Sequence, residues 1–222
     1  MHEEWLKIKE AKTHRAVSFL DLSAAFDTLS KDVFCKKLKA YGFNQKSTCW
    51  FNSYLSERSQ CVQIGSTISE PISLQVGSPQ GSILSPTIFL ILIADIELWC
   101  PEAVLRGYAD DTTCTVSDKN INKLQEKCEA SVQKLLTYMA INKLSANDDK
   151  THILVVRNGR ENKELTFKVG NAMIKESESE KFLGLWVKND LSWSKHLSKL
   201  QDLSLIHISE PTRPERIADG GV

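Results

Sequence analysis

The sequence predicts an α+β fold in which one mixed sheet carries helices packed on one face. Short runs of strand-forming apolar residues alternate with segments whose apolar residues recur every three or four positions. Hydrophobic residues make up 41% of the 222 residues, which is enough to bury a core in one or two domains. No internal repeat or low-complexity linker interrupts this pattern.

The first predicted element is an apolar strand that ends at Asp21, and the others follow it along the chain. The apolar spacing from Ile121 to Met139 predicts an amphipathic helix packed on the sheet. Further helices are predicted over residues 31–41, 45–57 and 83–99, the third of them buried, and another begins over 193–201. Hairpins are predicted over 58–76 and 104–116, strands at 151–156, 165–174 and 181–187, and a solvated acidic turn at 176–180.

Net charge, cysteine spacing and apolar run length indicate which partners and which cellular compartment to expect. The 28 basic and 28 acidic residues give a formal net charge of zero, which is unusual for a protein that holds nucleic acid. The six cysteines lack metal-binding spacing, so we expect free, mostly buried thiols in an intracellular, reducing compartment. No signal peptide is recognisable, and the apolar run at 83–94 is shorter than the roughly 20 residues that a bilayer requires.

Two adjacent carboxylates, Asp110 and Asp111, follow Gly107-Tyr108-Ala109 within the second hairpin. Taken alone, such a pair is also typical of an ordinary polar turn, and an isolated Asp21 at a strand end is typical of a cap. If the two strands lie side by side, however, Asp21 and Asp110 supply the hard oxygen ligands that Mg²⁺ prefers. The sequence therefore predicts a site for divalent cations.

A loop rich in glycine and proline, GSPQGSILSP at 77–86, precedes the apolar helix. Glycine lets a backbone pass close to another group, and Gln80 offers both a donor and an acceptor to a sugar or a base. Ser82 or Ser85 could cap the helix, with Pro86 in its first turn. A purely structural loop is the alternative.

These segments, in this order, resemble motifs of reverse transcriptases from non-LTR (LINE-type) retrotransposons. Residues 19–27, FLDLSAAFD, resemble the first catalytic motif, 77–86 the template-primer and nucleotide loop, and YADD at 108–111 the metal motif. The resemblance covers about residues 17–200. It implies a polymerase palm, whose sheet is ferredoxin-like (RRM-like).

The resemblance implies an RNA-directed DNA polymerase that transfers a nucleotide from a dNTP to a primer 3′-hydroxyl with two Mg²⁺ ions, which Mn²⁺ can replace. Its implied metal-site residues are Asp21, Leu22, Asp110 and Asp111. The other implied roles are protonation of the leaving pyrophosphate by Lys150, nucleotide binding by Phe26, Gln80 and Gly81, and primer binding by Tyr108, Phe182, Leu183 and Gly184. Phe26 matches the bulky gate against a ribose 2′-hydroxyl.

The chain also departs from the family pattern. Ser78 stands where valine is more usual, and the basic fingers segments expected before Asp21 are not recognisable. We therefore expect an internal fragment that lacks the fingers, thumb and endonuclease regions of a polyprotein. The implied partners are an RNA template, a DNA primer and dNTPs, with no membrane, and the family's target-primed mode of action implies the nucleus.

Three segments are expected. Residues 1–150 form the palm with residual fingers-side segments and the metal motifs, and 151–202 form the palm end, the primer-grip hairpin and the start of the thumb connection. Residues 203–222 form no domain, because LSLIHISEPTR at 203–213 resembles the translation of a transposase-type sequencing-library adapter. A native tail is the alternative.

Two alternatives to an active reverse transcriptase remain at this point. One is a non-catalytic retrotransposon relic without fingers and thumb. The other is an RNA-dependent RNA polymerase, which shares the palm and its aspartates. Phe26 argues against the second alternative, because a bulky side chain five residues after Asp21 would clash with a ribose 2′-hydroxyl.

Overall fold

The computed structural model describes residues 12–21, 25–108, 111–144, 151–159 and 163–209, with only the backbone described for 21, 25 and 203–209. The helices are α1 (Ala25–Thr28), α2 (Lys31–Ala40), α3 (Gln45–Leu55), α4 (Leu84–Ile93), α5 (Ile121–Ile141) and α6 (Ser194–Ser209). A 3₁₀ helix (Ile96–Trp99) follows α4.

The strands are short except for two that have eight residues each. They are β1 (His14–Asp21), β2 (Arg58–Gln60), β3 (Gln63–Ile64), β4 (Thr67–Ile68), β5 (Ile72–Leu74), β6 (Val104–Tyr108), β7 (Asp111–Asp118), β8 (His152–Val156), β9 (Thr166–Val169), β10 (Ala172–Lys175), β11 (Ser179–Phe182) and β12 (Leu185–Lys188). The predicted hairpin over 58–76 is confirmed, with β2 paired to β5 and β3 to β4 inside it.

Four strands form the central sheet, in the order β6-β7-β1-β8. All three of its pairings are antiparallel, where the sequence predicted a mixed sheet. For β6 and β7 the reason is local, since a connection of two residues allows only antiparallel pairing. The α+β class is confirmed.

The two faces of this sheet are covered differently. On the helix-covered face, Ala16 and Leu20 of β1 join a large core with residues of α4 and α5, as the sequence predicted. On the hairpin-covered face, Val17 and Phe19 pack against Phe182 in the β11–β12 hairpin. The alternation along β1 follows from the two-residue period of a strand.

Two predicted strands are hairpins in the structure. The segment at 165–174 turns at Gly170, whose φ is +57°, so that β9 pairs with β10. The segment at 181–187 is divided by a turn at Leu183 and Gly184. The expected solvated turn at 176–180 is wrong, because Glu176 accepts a hydrogen bond of 2.6 Å from Arg157 and the following residues enter β11.

The apolar helix is shorter and less buried than predicted. Its α-helical part ends at Ile93, where the Leu92 carbonyl accepts hydrogen bonds from Lys37 Nζ (2.6 Å) and from the Tyr138 hydroxyl (3.2 Å). Side-chain donors at a helix C-terminus satisfy carbonyls that the helix itself leaves unpaired. Only one side of α4 meets the core, and the flanking Ile83 and Leu98 are 93% and 81% exposed.

All six cysteines are free thiols, as predicted, but only Cys100, Cys114 and Cys128 are buried. Burial raises the pKa of Cys128 to about 12, which keeps this thiol protonated. Within the described ranges, no helix is long and apolar enough to cross a bilayer.

Candidate active site

Two of the candidate aspartates lie opposite each other at one edge of the central sheet. Asp21, the last residue of β1, lies directly opposite Asp111, the first residue of β7, and Tyr108 at the end of β6 faces Asp111 from the other side. In an antiparallel ladder, directly opposed residues have Cα atoms about 4.5–5.5 Å apart. Leu22, Ala109, Asp110 and Lys150 lie outside the described residues, as does the Asp21 side chain.

A cavity of about 240 Å³ opens beside Asp111 on the hairpin-covered face. It is lined by Phe19, Leu20, Asp111, Thr112, His152, Glu180, Lys181 and Phe182. His152 Nδ1 lies 3.6 Å from Glu180 Oε1, so this side of the cavity holds a second carboxylate and an imidazole. Among the described side chains, no group of three His, Cys, Asp or Glu residues has an arrangement that could hold a metal ion.

Sequence reasoning missed Glu180 and His152 as neighbours of Asp111. The sequence interpretation placed Glu180 in a solvated turn and His152 in the predicted strand at 151–156, without a role in the site. A register argument could have found His152, because the first residue of β8 pairs with Phe19 only two residues from Asp21. Such an argument requires the order of the strands, which local patterns do not give.

The glycine-rich loop is fixed against α1 by its own backbone. The Ser78 N–H donates to the Phe26 carbonyl at 2.7 Å, and the Gly77 N–H donates to the Leu29 carbonyl at 2.8 Å. Gly77 has φ +88°, and a Cβ atom there would lie 2.8 Å from the Asp27 carbonyl oxygen. The predicted close approach of a glycine backbone is confirmed at this residue.

The same loop brings Gln80 to the first motif. Gln80 Nε2 donates to Asp27 Oδ1 at 2.7 Å, while Gly81 (φ +80°) has open space where a Cβ atom would stand. From the other side, the Arg58 guanidinium donates to the carbonyls of Val76 (3.0 Å) and Gly77. Sequence reasoning did not identify Arg58, because its partners are backbone atoms about 20 residues away.

Phe26 packs against the apolar helix α4. Its ring is partly buried against the core and lies 5.3 Å, centroid to centroid, from that of Phe89 in α4. Pro86 lies in the first turn of α4, as predicted, and the Ser82 hydroxyl accepts from the Leu84 N–H at 3.2 Å. Loop, α1 and α4 therefore form one packed unit next to the end of β1.

The β11–β12 hairpin presents its tip near the same edge of the sheet. Leu183 and Gly184 have φ values of +48° and +82°, and a turn with two positive φ values matches the twist of the strands it joins. Phe182 is buried against Phe19 with ring centroids 5.5 Å apart, whereas Leu183 and Tyr108 are exposed. Phe182, one of the four expected primer-binding residues, therefore packs the hairpin against β1.

The amino-acid sequence of this chain is similar to those of known proteins. The family model described as "Reverse transcriptase (RNA-dependent DNA polymerase)" matches residues 2–187. The RNA-directed DNA polymerase from mobile element jockey of Drosophila melanogaster is 26% identical over 214 residues, covering 88% of this chain and 22% of that protein. A Pol polyprotein from the type-1 retrotransposable element R2 of Popillia japonica is 28% identical over 98 residues, covering 43% of this chain and 16% of that protein.

Solved structures show the same fold at low sequence identity. Apo telomerase from Candida tropicalis, truncated from its C-terminal domain, has a TM-score of 0.57 and 17% identity, covering 86% of this chain and 38% of that one. Telomerase of the same organism in complex with a TWJ fragment of telomeric RNA has a TM-score of 0.56 and 15% identity, covering 94% and 37%. The predicted polymerase palm is confirmed.

The chain spans about a fifth of the length of the jockey polymerase. Enzymes of the matched family copy an RNA template from a nucleic-acid primer, and phosphoryl transfer of this kind uses divalent cations. The family match covers most of the chain and includes all three motifs around the sheet edge. The chain belongs to the reverse transcriptase (RNA-dependent DNA polymerase) family.

Proposed function

We propose that this chain is the catalytic palm of a non-LTR retrotransposon reverse transcriptase, which adds dNTPs to a DNA primer on an RNA template in the nucleus. The observation that carries the proposal is the register of Asp21 against Asp111, since it puts two strand ends with carboxylate residues at one edge. The resemblance to the jockey polymerase over 88% of the chain supports the substrate class.

Asp21, Asp110 and Asp111, with Leu22 beside them, would hold two Mg²⁺ ions, and Mn²⁺ would substitute. The donor set fits this role, because carboxylate oxygens are the ligands that these hard cations prefer. When bound, such ions lower the pKa of an attacking hydroxyl and neutralise phosphate charge.

The anchored loop would position the nucleotide. Because Gln80 gives its N–H group to Asp27, its carbonyl oxygen remains to accept from a sugar or base, and the open space at Gly81 admits a substrate close to the backbone. Phe26, braced by Phe89, would exclude a ribose 2′-hydroxyl. Lys150 would donate the proton to the departing pyrophosphate.

The primer would lie along the edge formed by the β6–β7 and β11–β12 hairpins. Tyr108 and Leu183 offer exposed apolar surface there, and Gly184 leaves room for a close approach of backbone. Lys195 Nζ lies 4.1 Å above the Trp186 ring and donates to the Ser179 hydroxyl, so α6 is attached to this hairpin. We accordingly propose that residues 151–202 lead from the palm towards a thumb.

The proposal is tested in a chimera that joins this palm to the fingers and thumb of a related element. Asp110→Asn should reduce Mg²⁺-dependent primer extension on RNA by about 10³-fold or more, because several kcal/mol of charge stabilisation is lost. Asp118→Asn, at the opposite end of β7 and paired to Lys127, is the matched control and should stay within about twofold. A chimera that extends no primer would favour the relic.

Two further measurements separate the components of the proposal. Isothermal titration of the chain with Mg²⁺ or Mn²⁺ should show binding that Asp110→Asn weakens. Equal binding by the variant would contradict the proposed metal site. In the chimera, Phe26→Val should raise ribonucleotide incorporation. Unchanged sugar selectivity would reopen the RNA-dependent RNA polymerase alternative.

Residues 203–213 are, we propose, the translation of a sequencing adapter, on the strength of the match along LSLIHISEPTR. The structure describes α6 as far as Ser209, so a helical backbone extends into this segment. Resequencing the locus with a library chemistry that uses no transposase adapter tests the origin, because a native tail would reappear unchanged.

A further inference from the structure

An exposed stripe on α3 has no role in the site described so far. Lys46, Trp50 and Tyr54 are spaced by four residues, which puts them on one face of this helix. Trp50 is 52% exposed, a large fraction for a residue whose ring usually lies mostly in a core. The three side chains are defined here as the α3 stripe.

The aromatic rings of the stripe pack against each other and, through Phe51, against the core. Trp50 and Tyr54 stack with ring centroids 5.5 Å apart and an interplanar angle of 9°. Phe51 makes an edge contact with Trp50 at 5.1 Å and a second one with buried Phe34 at 5.5 Å, which ties the indole to the core. A surface ordered in advance loses little conformational entropy when a ligand binds.

The stripe is continuous with the candidate nucleotide loop. The Tyr54 and Ser82 hydroxyls lie 2.5 Å apart, one residue beyond Gly81, and the neighbouring Ile83 is 93% exposed. An extended ligand that runs from the loop along α3 would therefore reach Tyr54 first, then the exposed part of Trp50, and then Lys46.

We propose that the α3 stripe binds unpaired nucleotides of a single-stranded nucleic acid, the template on its way to the loop. Bases stack on aromatic rings without regard to sequence, and a lysine nearby attracts the phosphate. This inference rests on the proposed polymerase function. It adds a binding surface that the catalytic aspartates do not require.

Charge favours a nucleic acid over a protein partner at this surface. Residues 31–55 contain five lysines and one aspartate, while the whole chain has a formal charge of zero. Helix α3 itself has no acidic residue, and it packs on α2, which carries four of these lysines. The segment that carries the exposed aromatic rings thus has an excess of positive charge, even though one of its lysines, Lys37, is paired with Asp95.

The test is equilibrium binding of a fluorescein-labelled 12-nucleotide oligo(U) to the whole chain, measured by fluorescence anisotropy in EDTA. EDTA removes divalent cations, so the aspartates contribute no metal-mediated contact. Trp50→Leu should raise the Kd about 5- to 100-fold, as expected for the loss of one stacked base, and Trp50→Phe should raise it less. Trp99→Leu, which removes a 37%-exposed tryptophan from the 3₁₀ helix, is the matched control and should stay within about twofold.

Two further arms identify the contacts. An oligomer of abasic sugar-phosphates should bind wild type and Trp50→Leu equally, since it has no base to stack. Lys46→Gln should reduce the slope of log K against log salt by about one, whereas Lys168→Gln on β9 should leave it unchanged.

A Trp50→Leu variant that binds oligo(U) as tightly as wild type would overturn the inference and leave the stripe as a protein contact. So would a wild-type chain without measurable affinity for oligo(U). Neither result touches the polymerase proposal, which depends on Asp110→Asn in the extension assay. Conversely, Asp110→Asn should bind oligo(U) in EDTA as wild type does.

Discussion

The helix-covered and hairpin-covered faces of the central sheet bury their apolar residues with very different amounts of chain. The helix-covered face is packed against α5, a helix of 21 residues, whose Leu124 and Leu135 are fully buried. The second face is closed by two strands of four residues, whose Phe182 and Val187 each keep 9% of their surface exposed. The thinner cover leaves the cavity beside Asp111, so the first face supplies stability and the second supplies access.

The largest effect expected from this difference lies in the core. Leu135→Ala should lower the free energy of unfolding by about 2–5 kcal/mol, because it leaves a cavity under a long helix. Val187→Ala should cost about 1–2 kcal/mol, since the short hairpin can settle into the space. Urea denaturation of the two variants measures both values, and equal costs would show that the faces are equally rigid.

A second contrast concerns two glycines of the nucleotide loop. Gly77→Ala places a methyl group against the Asp27 carbonyl in addition to a positive φ, and should cost about 2–3 kcal/mol. Gly81→Ala has a positive φ with open space around it and should cost about 1 kcal/mol. Hydrogen exchange at Ser78, whose N–H is bonded to Phe26, should accelerate in Gly77→Ala and hardly change in Gly81→Ala.

On the hairpin-covered face the corresponding pair of residues is Leu183 and Gly184. Leucine is an uncommon residue at positive φ, so Leu183→Asn should stabilise the turn by about 0.5–1 kcal/mol. Gly184→Ala should destabilise it by about 1 kcal/mol. Thermal unfolding together with hydrogen exchange of β11 and β12 tests both changes, and a destabilised Leu183→Asn variant would mean that the leucine side chain makes a contact worth more than the strain.

The smallest expected effect is the acid dependence of the helix-covered side. Burial raises the pKa of Asp95, but hydrogen bonds from Lys37 (2.5 Å) and Tyr138 (2.6 Å) outweigh it and leave the pKa below its ordinary value of 3.8. A depressed pKa in the folded state gives stability that is complete above the unfolded value and is lost as the pH falls through the folded value. Asp95→Asn should therefore flatten the loss of stability below about pH 4. An unchanged slope in acid denaturation would argue against this contribution.

Local patterns in the sequence predicted those parts of the fold that depend on neighbours along the chain. The helical spacing from Ile121 to Met139, the hairpin around the aspartate pair and the glycine loop all appear where they were expected. At 181–187 the local pattern predicted a single strand, because leucine is not a turn-forming residue, and only the resemblance to a primer-grip hairpin implied the turn at Leu183 and Gly184. The strand directions likewise depend on pairing between distant segments.

The candidate site likewise has some features that the sequence predicted and others that it did not. The resemblance placed Asp21 and the aspartate pair together, and the register of β1 against β7 brings Asp21 opposite Asp111. The contacts made by Arg58 with the loop carbonyls and the approach of Glu180 to the cavity were not foreseen. Both contacts bring together residues that are far apart in sequence. An arginine or a glutamate does not by itself indicate which distant residue it will approach.

The central position of β1 also determines when the site can form. β1 is synthesised before both of its partners, since β7 follows about 90 residues later and β8 later still. At about 5–20 residues per second, the β1 strand waits roughly 5–20 s before Asp111 exists to face Asp21. During that interval its apolar run is an unpaired strand open to chaperones or to aggregation. The paired ends of β1 and β7 can therefore form only after β7 has been synthesised.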